Sequence, residues 1–151
     1  MIILSSKIRS AVGWIVLSFI VLTCSPNPYD DPIPYAPFPD IVLNLNLPEN
    51  IALKTTGATL AIGGGVRGII VHCRKANDYA AYERNCSYHP NDACATVNID
   101  PSNLFLIDSC CGSTFDLATG TPTGGVAIRP LAQYKTSYDG AVLIITDERI
   151  D

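Results

Sequence analysis

Three patterns of apolar and polar positions follow one another along the chain. Ala11 to Leu22 is an apolar run without a charge. Ser25 to Asp40 is rich in proline, which removes backbone donors and favours extended conformations. Beyond Asp40 apolar residues recur with period two, most plainly in Leu43-Asn44-Leu45-Asn46-Leu47, as on a half-buried strand. The first strand is predicted over 41–47. Others are predicted over 58–62, 68–73, 79–82, 96–99, 104–107, 114–117, 131–136 and 141–146, separated by glycine, proline, asparagine and aspartate. Gly63-Gly64-Gly65 predicts a turn or a close backbone approach. Ser137-Tyr138-Asp139-Gly140 predicts a tight hairpin, because Asp-Gly supplies positive φ. No stretch outside the first run has a helical period. Many short strands at this spacing predict an all-β fold, a small antiparallel sandwich or barrel.

The first run is shorter than the roughly 20 apolar residues that cross a bilayer. It follows Lys7 and Arg9 and fits the hydrophobic region of a signal peptide. It ends at Leu22-Thr23-Cys24-Ser25, which resembles a bacterial lipobox, with Thr23 larger than the small residue usual before the cysteine. The resemblance implies that Cys24 is lipidated and becomes the first residue of the mature chain. The expected organisation is a signal peptide over 1–23, a proline-rich tether over 24–40 and a β domain over 41–151. Asp30 and Asp31 in that tether are either an export signal or ordinary linker charge. The formal net charge is −4, and the leader carries bases but no acid, so the remainder is more acidic still. Without a basic cluster, nucleic acid is excluded as a partner, and attachment to an anionic membrane must come from a lipid. The chain has six cysteines. With Cys24 acylated, Cys73, Cys86, Cys94, Cys110 and Cys111 remain, and export places them where disulfides persist. Their odd number leaves at least one thiol free or paired outside the chain.

The candidate chemistry is concentrated in 86–131. Cys86-Ser87-Tyr88-His89-Pro90 is followed by Cys94. Next comes Asp108-Ser109-Cys110-Cys111-Gly112-Ser113-Thr114-Phe115-Asp116, then Gly120-Thr121-Pro122, and then Arg129-Pro130-Leu131. This series resembles the Rieske 2Fe–2S family. Gly112, Ser113, Phe115 and Asp116 match the end of its second loop, Gly120 and Pro122 its turn, and Pro130-Leu131 the start of the strand that follows. The resemblance spans roughly residues 41–147. It implies a Rieske-like β domain with two loops at one tip and a 2Fe–2S cluster between them. It also implies ligand positions at Cys86 and Tyr88 in the first loop and at Asp108 and Cys111 in the second.

A Rieske cluster takes two thiolates on one iron and two imidazoles on the other. Only Cys86 keeps the expected residue type. The chain has two histidines, His72 and His89. His72 lies in a predicted strand well before the first loop, and His89 is one residue past the imidazole position. A cysteine-rich site using Cys86, His89, Cys110 and Cys111 would suit an all-thiolate cluster or zinc. Its spacing is irregular, and adjacent Cys110 and Cys111 diverge on an extended backbone. The other account is disulfides. The family's inter-loop bridge falls at Cys94 and Cys110, and Cys86 and Cys111, facing each other where a cluster would sit, form a second. Cys73, among Ile69-Ile70-Val71, is then an inert buried thiol.

Other chemistry is not supported. No serine or cysteine lies in a nucleophile motif, and His89 has no evident partner. The glycine-rich stretch 63–68 precedes no helix that would bind phosphate. Asp108 and Asp116 read as acceptors within loops, and Tyr79, Tyr82, Tyr134 and Tyr138 as covers for the core edges. The expectation is a non-enzymatic, lipid-anchored protein of the bacterial cell envelope, at the outer membrane on its periplasmic or surface face. Its Rieske-like domain has no preferred cofactor and serves as a structural or interaction module. The expected partners are the membrane, through the lipid, and another envelope protein. Two alternatives stand beside it: an electron carrier with unusually ligated iron, and a thiol–disulfide or metal-handling accessory.

Overall fold

The computed structural model describes residues 31–150; the signal peptide and Cys24 lie outside the described residues. The strands are β1 (Ile41–Asn44), β2 (Thr59–Ile62), β3 (Ile69–Lys75), β4 (Asp78–Glu83), β5 (Val97–Ile99), β6 (Leu106–Asp108), β7 (Ser113–Phe115), β8 (Pro122–Gly124), β9 (Gln133–Tyr138) and β10 (Val142–Arg149). Among the described residues a single 3-10 turn, Ile51–Lys54, interrupts them. Six strands form one sheet in the order β1-β10-β9-β4-β3-β2, and four form a second in the order β5-β6-β7-β8. Every pairing is antiparallel. The all-β expectation holds.

The β-branched and apolar run of β3 is buried over Ile69–Cys73 because the central strands are covered on both faces. Alternate side chains of β3 and β4 enter different cores. Ile70, Ala80 and Tyr82 join Cys86, Val97, Leu106, Phe115 and Leu131 on the side of the small sheet. Ile69, Val71, Cys73, Tyr79 and Ala81 join Leu45, Leu53, Tyr134, Leu143 and Ile145 on the other. Tyr82 and Tyr134 are thus fully buried rather than covers for the core edges, while Tyr138 is half-buried. Cys73 is a buried free thiol, and burial pushes its pKa up.

The hairpin over Ser137–Gly140 joins β9 to β10. Asp139 accepts the N–H groups of Ala141 and Val142 at 2.9 and 2.7 Å, and Gly140 has a φ of 101°. The strand predicted over 41–47 ends at Asn44, where the chain turns into the Leu47–Asn50 loop. Residues 31–40, the last part of the expected tether, lie against the domain. Phe38 packs edge-on to Tyr134 with ring centroids 5.0 Å apart, and Tyr35 donates to Asp147 at 2.7 Å. Arg129 and Arg149 donate to backbone carbonyls of Asp31, Ile33 and Pro34.

The hydroxyl of Tyr82 is buried without a hydrogen-bond partner. A buried, unpaired hydroxyl costs roughly 1–3 kcal/mol. Tyr82→Phe removes that cost and keeps the ring, so it is expected to raise the melting temperature by about 3–6 °C. Thermal unfolding followed by circular dichroism checks this.

Candidate functional site

Two loops meet at the end of the small sheet. The first follows β4 and carries Cys86, Ser87, Tyr88, His89 and Cys94; the second lies between β6 and β7 and carries Cys110 and Cys111. A disulfide joins Cys94 to Cys110, with the Cα atoms 5.5 Å apart. This is the inter-loop bridge that the resemblance implied.

The first loop is held from several directions. The Arg67 guanidinium donates to Asn85 Oδ1, to the carbonyls of Asp92 and Ala93 at 2.5 and 2.8 Å, and to Thr96 Oγ1. Arg129 donates to the Ser87 carbonyl at 2.6 Å, and Ser87 Oγ donates back to the Arg129 carbonyl at 2.6 Å. Beneath Arg67, the fully buried Glu83 carboxylate accepts four hydrogen bonds. They come from the N–H groups of Val66, Arg67 and Asn85 at 2.8, 3.0 and 3.0 Å, and from the Tyr134 hydroxyl at 2.8 Å. The close approach expected at Gly63-Gly64-Gly65 is here. A Cβ on Gly65 would fall 2.1 Å from Glu83 Oε2. Arg67 and Glu83 escaped the sequence analysis, because most of their partners are distant in sequence and leave no local signature.

At the second loop, Asp108 is buried at the end of β6, and its Oδ1 accepts the Cys110 N–H at 2.8 Å. Gly112, with a φ of 72°, turns the chain into β7. Adjacent Cys110 and Cys111 diverge as expected, Cys110 to the disulfide and Cys111 toward Cys86. The Cys86 and Cys111 sulfurs lie 3.8 Å apart and both residues are free thiols. The pair expected to form a second bridge is therefore adjacent but unbonded. The Cys111 thiol donates to Ser113 Oγ at 3.1 Å and approaches Asp108 Oδ2 at 3.4 Å. Ser113 Oγ in turn accepts the N–H groups of Val126 and Ala127, which ties in a third loop. Cys86 is fully buried, Cys111 half-exposed. Burial foremost, and then the neighbouring Asp108 carboxyl, push the Cys86 thiol pKa up.

Cys86 Sγ, Cys111 Sγ and an Asp108 carboxylate oxygen all lie within 4.8 Å of one another. Neither histidine belongs to this group. His89, with a φ of 42°, turns its ring edge-on to Tyr88, with centroids 4.3 Å apart. His72 lies in β3 opposite Ala80, outside the two loops of the tip. Burial pushes the His72 pKa down. Asp116 caps its own turn, accepting from the Ala118 and Thr119 N–H groups and the Thr119 hydroxyl, and its carboxyl pKa is lowered by these bonds.

The two-thiolate, two-imidazole cluster that the resemblance implies does not fit this donor set. One of its thiolate positions is a carboxylate, one imidazole position is a half-buried tyrosine packed on the core, and the other is a thiol. The motif residues nevertheless occupy the places in the fold that the resemblance implies, two loops at one tip joined by a disulfide; a third loop, residues 125–130, lies beside them.

No family profile and no characterised protein matches the chain. Solved structures do. The chain is similar to the ferredoxin of carbazole 1,9a-dioxygenase from Nocardioides aromaticivorans IC177, at 18% identity and a TM-score of 0.46, over 76% of this chain and 98% of that one. It is also similar to a chain in the complex of reduced oxygenase and oxidised ferredoxin in carbazole 1,9a-dioxygenase. There the identity is 15%, the TM-score 0.47, and the coverage 64% of this chain and 87% of the other. Both likenesses concern the fold alone.

Proposed function

We propose that this protein is a lipid-anchored component of the bacterial cell envelope whose Rieske-like domain holds no 2Fe–2S cluster and works as a non-enzymatic structural or interaction module. One observation carries the proposal: the tip assembles Cys86, Asp108 and Cys111, and leaves both histidines outside the group. Iron needs nitrogen or sulfur donors in number to hold two ions and their bridging sulfides, and this tip supplies two sulfurs. The inter-loop disulfide and the Arg67 and Arg129 bonds keep the tip ordered by other means. The lipid at Cys24 would tether the domain to the membrane, and an envelope protein is the expected partner. The third loop beside the tip exposes Val126 and Ile128, apolar side chains suited to protein contact.

The test is anaerobic incubation of the protein with ferrous iron, sulfide and thiol. The expected product is colourless after desalting and carries no acid-labile sulfide. A visible 2Fe–2S spectrum abolished by Cys111→Ser would overturn the proposal in favour of electron transfer.

A further inference from the structure

Two buried carboxylates of this domain are solvated very differently. Glu83 has three backbone N–H donors and a tyrosine hydroxyl. Asp108 is as deeply buried, at 1% exposure, but among the described residues it has one N–H donor, Cys110. Its other neighbours are the thiols of Cys111 and Cys86. A thiol is a weak donor, and a buried carboxylate is costly unless it is strongly bonded or paired with a positive charge. No cationic side chain of the described residues forms an ion pair with Asp108. What would balance it is a cation, in the space that the two sulfurs and the free carboxylate oxygen share.

The spacing selects the kind of cation. A tetrahedral ion with metal–sulfur bonds of about 2.3 Å holds two thiolates about 3.8 Å apart. The Cys86 and Cys111 sulfurs are 3.8 Å apart. All three donor atoms lie within 4.8 Å of one another, the spread of donors around one ion. Two sulfurs and one oxygen suit a borderline-soft, zinc-like divalent metal rather than a hard one such as magnesium or calcium. Loop residues pre-position the donors. The Cys110 N–H orients Asp108, Ser113 Oγ holds the Cys111 sulfur, and the disulfide fixes Cys110 beside it.

We infer that Cys86, Cys111 and Asp108 form a site for a single zinc-like divalent cation, in place of a two-iron cluster. This rests on the clusterless reading above. On binding, the two S–H bonds break and both protons pass to solvent. Two metal–sulfur bonds and one metal–carboxylate bond form. Nothing is oxidised or reduced. A water completes the tetrahedron from the side of half-exposed Cys111.

Cobalt(II) alone is the probe, added to full-length protein isolated without exposure to oxygen. One equivalent is expected to produce an intense thiolate-to-cobalt charge-transfer band with tetrahedral d–d bands, both discharged by zinc. Cys111→Ser and Asp108→Asn are each expected to weaken cobalt binding by about tenfold or more, and Cys73→Ser to leave it unchanged. Asp108→Asn keeps the acceptor for the Cys110 N–H, so it tests the charge with the loop intact. The inference is overturned by the absence of a charge-transfer band, by a band that survives Cys111→Ser, by one lost in Cys73→Ser, or by a Cys86–Cys111 disulfide in the isolated protein. These outcomes are separable from the earlier test. Failure to bind cobalt together with failure to assemble iron and sulfide sinks only the single-ion site, whereas a 2Fe–2S spectrum sinks the clusterless reading as well.

Discussion

Replacing Glu83 with alanine is expected to cost the domain about 3–5 kcal/mol, because it strands four donors at once, two buried and two part-buried. The carboxylate is fully buried and joins three chain segments: the glycine-rich turn through Val66 and Arg67, the root of the first loop through Asn85, and β9 through Tyr134. Glu83→Gln keeps the shape and one acceptor oxygen but turns an NH2 group toward donors, so a smaller loss of about 2–3 kcal/mol is expected. Gly65→Ala leaves the carboxylate in place but puts a Cβ 2.1 Å from Glu83 Oε2, at a φ of 60°. It is expected to match the alanine variant at 83. Urea unfolding followed by circular dichroism checks the order of the three. Losses below about 1 kcal/mol for Glu83→Ala would mean that water replaces the carboxylate and that the nest is not a structural centre.

Removing the Cys94–Cys110 bridge is the second large effect. The bridge spans a sequence separation of 16 residues. Closing a loop of that length in the unfolded chain stabilises the native state by about 3 kcal/mol. The double variant Cys94→Ala, Cys110→Ala is expected to melt roughly 8–15 °C lower than the parent. A thiol reductant should lower the parent's melting temperature by a similar amount and leave the double variant unchanged. Because Cys110 precedes Cys111 directly and its N–H orients Asp108, the double variant should also loosen the tip. A melting temperature independent of both substitution and reductant would show that the hydrogen bonds of Arg67 and Arg129 alone fix the loops.

Strand patterning was legible where one or both faces of a strand are apolar. β3 and β10 announce themselves through runs such as Ile69-Ile70-Val71 and Val142-Leu143-Ile144-Ile145. β8 did not, because Pro122-Thr123-Gly124 is an edge strand with no apolar face and shifted pairing to β7, so it reads as a turn. The 3-10 turn over Ile51–Lys54 is too short to show a period. Tyr82 and Tyr134 read as edge covers because a phenol usually keeps its hydroxyl wet. The fold buries one against Glu83 and the other without a partner.

At the site, the motif residues fixed which loops meet and which cysteines bridge them. They could not fix the state of Cys86 and Cys111, since a separation of 3.8 Å without a bond depends on side-chain geometry that spacing does not encode. They placed Asp108 at a ligand position with Cys86 and Cys111, although a carboxylate in a loop also reads as a turn acceptor. It serves as one through Oδ1 and faces the sulfurs through Oδ2. The Glu83 nest and the Arg67 clamp depend mostly on partners far away in sequence, which no local pattern reports.

The fate of iron at the tip is the most direct test of the account. Full-length protein, purified anaerobically and offered ferrous iron and sulfide, is to be measured for iron content and visible absorption. The account predicts a colourless protein with no more than one iron per chain. A red-brown protein with two irons per chain, losing its colour in Cys86→Ser and Cys111→Ser, would contradict it.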